Sequence, residues 1–160
     1  MVTHTTSTPL PDIQPSLAVD NAGAMDQFNR LLIAQFRDSG GRLNGQFTGA
    51  PILLLNTIGA KSGAPRTTPL GYVRDSDAYV IMASKSGSPT NPAWYHNLAA
   101  HPMATVEVGR ERFEVKHRLV EGEQRDRLWE RLVAKWPMAA DYQQATTRRI
   151  PVIVLERGEN

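Results

Sequence analysis

Two short clusters hold most of the side chains that could do chemistry. Lys61, Ser62 and Arg66 fall in a turn bounded by Gly59 and Gly63, within the stretch 53–69, which reads L-L-L-N-T-I-G-A-K-S-G-A-P-R-T-T-P. Two cations, a hydroxyl and permissive backbone in so short a loop suit an anion, because glycine lets backbone N–H groups approach phosphate while Lys and Arg supply charge. A solvated basic hairpin loop has the same composition. Lys85 stands in a second Gly/Ser-rich loop, Lys85-Ser86-Gly87-Ser88, just after Ser84. Both loops follow an apolar run. Should the two strands be neighbours, three cations meet on one patch, a credible seat for a phosphate or polycarboxylate.

Other catalytic arrangements have less to stand on. His4, His96, His101 and His117 lack metal-ligand spacing. Ser62 and Ser84 have no Asp/His partners placed by sequence, so a hydrolase triad finds no support. Glu121 and Glu123 sit at a helix start, where carboxylates cap and favour the dipole. Trp94 and Tyr95 suit either stacking on a flat ligand or a core.

The elements that position these clusters are legible as an alternation of periods. Phe28, Leu31, Leu32 and Phe36 repeat at helical spacing over 24–39, with Asp20 or Asn21 as cap and Gly40-Gly41 as stop. That apolar stripe suits a core, with a peripheral membrane contact as the alternative. Strands are expected over 51–57, 67–74 and 78–84, the last two joined by a turn at Asp75-Ser76-Asp77. Asn91-Pro92 reads as cap and first position of a short helix over 92–99, ended by His101-Pro102. A hairpin over 105–108 and 112–120 turns near Gly109. Leu128, Trp129, Leu132, Val133 and Trp136 mark a helix over 122–136, broken by Pro137. A further helical turn over 141–147 and a strand over 150–156 follow. Hairpin connections outnumber strand-helix-strand crossovers. The expected fold class is therefore α+β, its sheet closing into a small barrel with flanking helices.

Bulk properties bound the function. At 160 residues, 41% apolar and 21% charged, the chain suits one folded domain over 21–160 preceded by a flexible Thr/Ser/Pro-rich tail over 1–20. The formal net charge of only +2 gives little reason to expect nucleic acid as a partner. Cysteine is absent, which removes disulfides and thiol catalysis and suits a reducing compartment. No basic-then-apolar leader pattern opens the chain, so cytoplasmic residence is expected.

Taken together, G-A-K-S-G-A-P-R-T-T-P-L (59–70), A-S-K (83–85), N-P-A-W-Y-H-N-L (91–98) and D-Y-Q...R-I-P-V (141–152) resemble the deazaflavin-dependent nitroreductase and quinone reductase family. The resemblance covers roughly 50–156. It implies a split β-barrel of the flavin-reductase-like, FMN-binding type. The implied coenzyme is F-420, an 8-hydroxy-5-deazaflavin whose phosphodiester and glutamate tail carry many negative charges. Lys61, Arg66 and Lys85 match positions that grip this tail. Ser62, Thr68, Pro69, Met82, Ala83, Ser84, Pro92, Trp94, Tyr95 and Asn97 match the surrounding groove. Tyr142 and Ser84 stand where the reacting groups would be, Tyr142 as a donor on the acceptor side. The implied reaction is hydride transfer from the reduced coenzyme to a quinone-like, nitroaromatic or other conjugated small molecule. An FMN-binding barrel and a non-catalytic deazaflavin carrier are the alternatives, and related barrels often form homodimers. Departures concentrate on the acceptor side. Gly71, Trp136 and Ala139 stand where other members have tyrosines, Ala60 replaces a loop Arg, and Ser86 replaces the first glycine after Ser84-Lys85. Loss of two phenols is expected to widen the acceptor pocket and to favour a bulkier or less polar acceptor.

Overall fold

Every strand of the sheet is antiparallel to its neighbours, as the many hairpin-type connections require. A computed structural model describes residues 22–158. The tail over 1–20, the cap at Asp20 or Asn21, and His4 lie outside the described residues. Helix α1 (Ala22–Ser39) precedes strands β1 (Ile52–Ile58), β2 (Pro65–Gly71), β3 (Val73–Asp75) and β4 (Ala78–Met82). Helix α2 (Ala93–Ala100), the hairpin β5 (Ala104–Val108) and β6 (Glu111–Val120), helices α3 (Gly122–Lys135) and α4 (Met138–Gln144), and strand β7 (Val152–Arg157) complete the order.

The spatial order of the strands is β2-β1-β5-β6-β7-β4-β3. Strands β2 and β3 are therefore the two edges of the sheet, although only Tyr72 separates them in sequence. Two Cα steps span at most about 7.6 Å. The sheet must curl until its edges meet at Tyr72, whose N–H donates to the Pro51 carbonyl at 3.0 Å. That is a split barrel, closed by a covalent corner rather than by a ladder. It also corrects the single strand expected over 67–74, which is cut into β2 and β3 where the chain passes from one edge to the other.

Strand β1 is apolar on both faces because it is covered on both. Leu53 and Leu55 point into the barrel with Ile81, Val106, Val115 and Leu155. Ile52 and Leu54 lie under α1 with Phe28, Leu32 and Phe36. Each such side chain contributes about 1.5–3 kcal/mol of transfer free energy. The apolar stripe of α1 is thus core, with Phe36 only 2% exposed, and is not presented outward as a lipid-binding face would be. Helix α1 ends as its glycines demand. Gly40 takes a φ of 67° and the Gly41 N–H returns to the Phe36 carbonyl at 2.8 Å. The other flank is covered by α3, where Leu128 and Leu132 pack on Val80, Val120, Val152 and Val154. Glu121 is the N-cap of α3 but makes no side-chain cap bond, so its part and that of Glu123 is confined to the helix dipole. Among the described residues, no helix is long and apolar enough to cross a membrane.

Candidate functional site

The first basic loop is a tight hairpin between β1 and β2. The Gly59 N–H donates to the Ala64 carbonyl at 2.8 Å and the Gly63 N–H to the Gly59 carbonyl at 2.9 Å. Gly63 sits at a φ of 70°, where a side chain is strained. Ser62 is used within the turn, its Oγ accepting the Ala64 N–H at 3.1 Å. Lys61 stands exposed at the tip. Arg66 pairs opposite Thr57 and Thr68 opposite Leu55, on the barrel-facing row; Pro69 pairs opposite Leu54, on the row under α1.

The second loop leaves β4 and turns sharply. Lys85, Ser86 and Gly87 have φ of 46°, 53° and 82°, three consecutive left-handed residues of which two are not glycine. Lys85 is exposed and its Nζ reaches only Thr90 Oγ1, at 3.3 Å. Ala83 is fully buried, while Met82 turns to the opposite face and packs beside α3. The organiser of this loop is Arg148, which sequence reading did not single out. Its guanidinium donates to the Ala83, Ser84 and Ser88 carbonyls and to Asn91 Oδ1 at 2.8–3.1 Å. Asn91 is thereby taken from its expected role. The N-cap of α2 is Pro92, in extended backbone and without a side-chain cap bond.

Strands β1 and β4 are not neighbours, since β5, β6 and β7 lie between them. Their loops are joined instead by α2, laid across the barrel mouth. Trp94 is buried at 5% exposure in the barrel core, in one cluster with Leu53, Leu55, Ile81 and Ala83, so its indole is packing. Tyr95 is half-buried against the same cluster and stands edge-on to His96. Asn97 is buried and ties α2 to the first loop. Its Oδ1 accepts the Ala60 N–H at 2.9 Å, and its Nδ2 donates to Thr57 Oγ1 at 3.1 Å. Pro92, also buried, starts the same helix beside Arg148's partner Asn91.

Helix α4 packs its Tyr142 against the second loop. A Cβ at Gly87 would lie 2.9 Å from the Tyr142 carbonyl and 2.8 Å from the Ala145 methyl, so only glycine permits this approach. Burial pushes the Tyr142 phenol above the ordinary tyrosine range; a hydrogen bond with the Ser86 side chain opposes the shift and the charge of Asp141 adds to it. Gly71 does not leave an opening. The six-membered ring of Trp136 fills the space its side chain would occupy, with Cε2 and Cζ2 2.6 Å from a Cβ built there. The indole Nε1–H donates to the Tyr72 carbonyl at 3.2 Å. The widening expected from losing a phenol at Gly71 is therefore offset by this indole. A surface cavity of about 490 Å³ adjoins it, lined in part by Pro51, Tyr72, Val73 and Lys135.

Ion pairs take up many of the surface arginines but not the loop cations, which share this with Arg42, Arg74, Arg110, Lys116 and Lys135 among the described residues. Arg37, Arg112, Arg118, Arg127, Arg131, Arg149 and Arg157 all pair with carboxylates. Lys61, Arg66, Lys85 and Arg148 have no carboxylate partner among the described residues; Arg66 reaches only the Pro65 carbonyl, at 3.4 Å. Cations on two glycine-bearing turns that one helix links are charge and backbone suited to a polyanion. Among the described residues no His, Asp or Glu cluster could hold a metal ion.

The comparisons with known proteins agree with this chemistry. A family model described as F420H(2)-dependent quinone reductase matches residues 28–157. An F420H(2)-dependent quinone reductase of Mycobacterium tuberculosis is 46% identical over 135 residues, covering 82% of this chain and 91% of the relative. A solved F420-H2 dependent reductase is 41% identical, with a TM-score of 0.61 over 66% of this chain and 94% of its own. A second structure, described as a domain-swapped dimer, is 36% identical, with a TM-score of 0.63 over 86% of this chain and 99% of its own. The heme storage protein HutZ of Vibrio cholerae, 15% identical with a TM-score of 0.52 over 81% of this chain and 89% of its own, shares the fold.

Proposed function

The chain belongs to the F420H(2)-dependent quinone reductase family, and we propose that it passes a hydride from reduced coenzyme F-420 to a quinone-like acceptor. The observation that carries this reading is the placement of the loop cations on two glycine-bearing turns that α2 links, through Asn97 to the first and Asn91 to the second. Lys61 and Arg66 on one loop and Lys85 on the other would hold the anionic tail. The turn around Ser62, the segment Ala83-Ser84, and the α2 residues Pro92 and Asn97 would shape the groove, with Thr68 on the barrel-facing row. Trp94 would contribute from below as packing. When bound, the reduced deazaflavin supplies a two-electron hydride. The chain's own residues then have three tasks: to orient, to exclude water and to hold a proton. A quinone that gains a hydride needs one proton to become a hydroquinone, and the Tyr142 phenol, whose pKa burial raises, would donate it. Trp136 would wall the acceptor side with an apolar ring. Nitroaromatic compounds belong in the acceptor panel as a second substrate class. Without cysteines, the chain suits the reducing cytoplasm. A second copy is a candidate partner, given the relative described as a domain-swapped dimer; light scattering after size exclusion tests it.

The deciding experiment is a fluorescence titration of purified protein with F-420 at low and moderate salt, followed by consumption of the reduced coenzyme with a quinone panel. Binding that weakens with salt, and turnover with quinones, are expected. A purified protein carrying a flavin spectrum and indifferent to F-420 would overturn the reading. Lys61→Ala, at an exposed and unpaired position, is expected to weaken coenzyme binding about three- to tenfold without changing the melting temperature.

A further inference from the structure

Arg148 has no part in the coenzyme reading above, yet it holds more of the second loop than any residue of that loop does. Nε donates to the Ser88 carbonyl at 2.9 Å, Nη2 to the Ser84 carbonyl at 2.8 Å, and Nη1 to both the Ala83 carbonyl at 3.1 Å and Asn91 Oδ1 at 2.8 Å. All four acceptors are neutral. Arg148 is itself clamped: Gln143 Nε2 donates to its carbonyl at 2.7 Å, Gln143 Oε1 accepts the Ile150 N–H at 2.9 Å, and the Arg148 N–H reaches Thr146 Oγ1 at 3.3 Å. A half-buried guanidinium that faces only neutral acceptors is costly, and burial holds its pKa below the usual arginine value. Its charge is left over for something else.

The backbone shows where that charge is directed. A peptide is planar and trans, so a carbonyl turned one way turns the next N–H the other way. With the Ala83 and Ser84 carbonyls turned toward Arg148, the N–H groups of Ser84 and Lys85 are turned away from it. Neither takes part in a backbone hydrogen bond among the described residues. The left-handed run at Lys85, Ser86 and Gly87 then turns the chain back on itself, the Gly87 and Ser88 N–H groups returning to the Ser84 and Lys85 carbonyls at 2.9 and 3.0 Å, so the amides left to receive an anion are those of Ser84 and Lys85.

We propose that Arg148 is a positioning residue for the coenzyme: by drawing three carbonyls and the Asn91 amide inward, it aims the Ser84 and Lys85 N–H groups and the Lys85 ammonium at one anionic group of F-420. This rests on the coenzyme reading above. Arg148→Lys keeps the charge but cannot span four acceptors. It is expected to raise the coenzyme Kd and the KM for reduced coenzyme about tenfold, with an unchanged salt dependence of binding. The kcat at saturating coenzyme and the KM for quinone stay within about twofold. Asn91→Ala, which removes one acceptor and leaves Arg148 in place, shifts the same two constants about threefold, and decides the matter if the lysine variant does not fold. Lower melting temperatures with unchanged coenzyme affinity in the folded fraction would overturn the proposal, reducing Arg148 to a structural brace. Wild-type protein that does not bind F-420 would overturn the parent reading as well, whereas tight wild-type binding with both variants unaffected overturns this inference alone.

Discussion

Replacing Asn97 by alanine removes the side chain that, among the described residues, ties α2 to the first basic loop. Asn97 is 6% exposed and its partner Thr57 is 3% exposed. The two bonds lost are unequal. The Thr57 hydroxyl stays buried without its donor, which costs about 1–3 kcal/mol. The Ala60 N–H belongs to an exposed residue and is taken over by water, so its loss costs only about 0.5–1 kcal/mol. A small void beside Trp94 and Leu98 adds to this. The sum is about 2–4 kcal/mol. For a chain of this size that lowers the melting temperature by about 5–15 °C. Without its tether the loop bearing Lys61 gains freedom that the coenzyme must remove, so F-420 affinity is expected to fall about tenfold. Leu128→Ala, under α3 on the opposite flank, is the matched control. It should destabilise by about 2–5 kcal/mol and leave the coenzyme affinity of the folded protein unchanged. Thermal melts by circular dichroism and fluorescence titration well below the transition read both quantities. An Asn97→Ala protein that melts within about 2 °C of the parent and binds F-420 equally well would refute the reasoning.

Three further perturbations probe other parts of the site and its support. Tyr142→Phe should lower kcat for quinone reduction about a hundredfold with unchanged coenzyme affinity. Because burial raises the Tyr142 phenol, the parent rate should stay level through neutral pH and fall only above the ordinary tyrosine range; a decline near neutrality would refute the donor role. Gly71→Ala places a methyl 2.6 Å from the Trp136 ring, so the indole must shift and give up its bond to the Tyr72 carbonyl. A loss of about 1–3 kcal/mol in stability and a changed KM for quinone are expected, and parental values for both would show that the ring yields freely. Glu107 accepts from Arg37, Asn56 and Arg112, and the Arg37 hydrogen bond foremost holds its carboxyl below the usual range. A depressed folded pKa gives stability that is full above the unfolded value and is lost as pH falls through the folded one. Glu107→Gln should therefore flatten the acid side of the stability profile by up to about 1 kcal/mol, discounted for partial exposure. Unchanged acid unfolding would exclude this pair.

Local patterns carried most of the elements. The stripe Phe28, Leu32, Phe36 and the pair Gly40-Gly41 predict α1 and its end, because helical period and a left-handed stop depend on residues a few positions apart. The alternation over 105–120 likewise predicts the hairpin of β5 and β6. What sequence could not show was set by partners far along the chain. Asn91 carries every mark of a helix cap, but Arg148 lies 57 residues away and claims its side chain. Tyr72 sits in an unbroken strand-like run, and only closure of the sheet makes it a corner. Gly71 suggests empty space until Trp136 is seen filling it. Within the site, the two basic loops and the 91–98 segment were legible as motifs. Their link was not, since β5, β6 and β7 lie between β1 and β4 and the tie runs through α2. Arg148 could have been suspected from the Arg148-Arg149 pair just before a buried strand, where charge needs a reason.

The seven strands leave the ribosome in an order unlike their order in space. Strand β7 is synthesised last, yet it lies between β6 and β4, pairing six residues with one and four with the other. Until it arrives, β3 and β4 form a detached hairpin, and β6 exposes an unpaired edge. The barrel therefore cannot close during synthesis of its first six strands. Folding is obliged to wait for residues 152–157, and the groove, which needs both loops in place, matures only at that final step. A nonsense or frameshift lesion ahead of β7 should thus abolish the whole sheet rather than trim its edge.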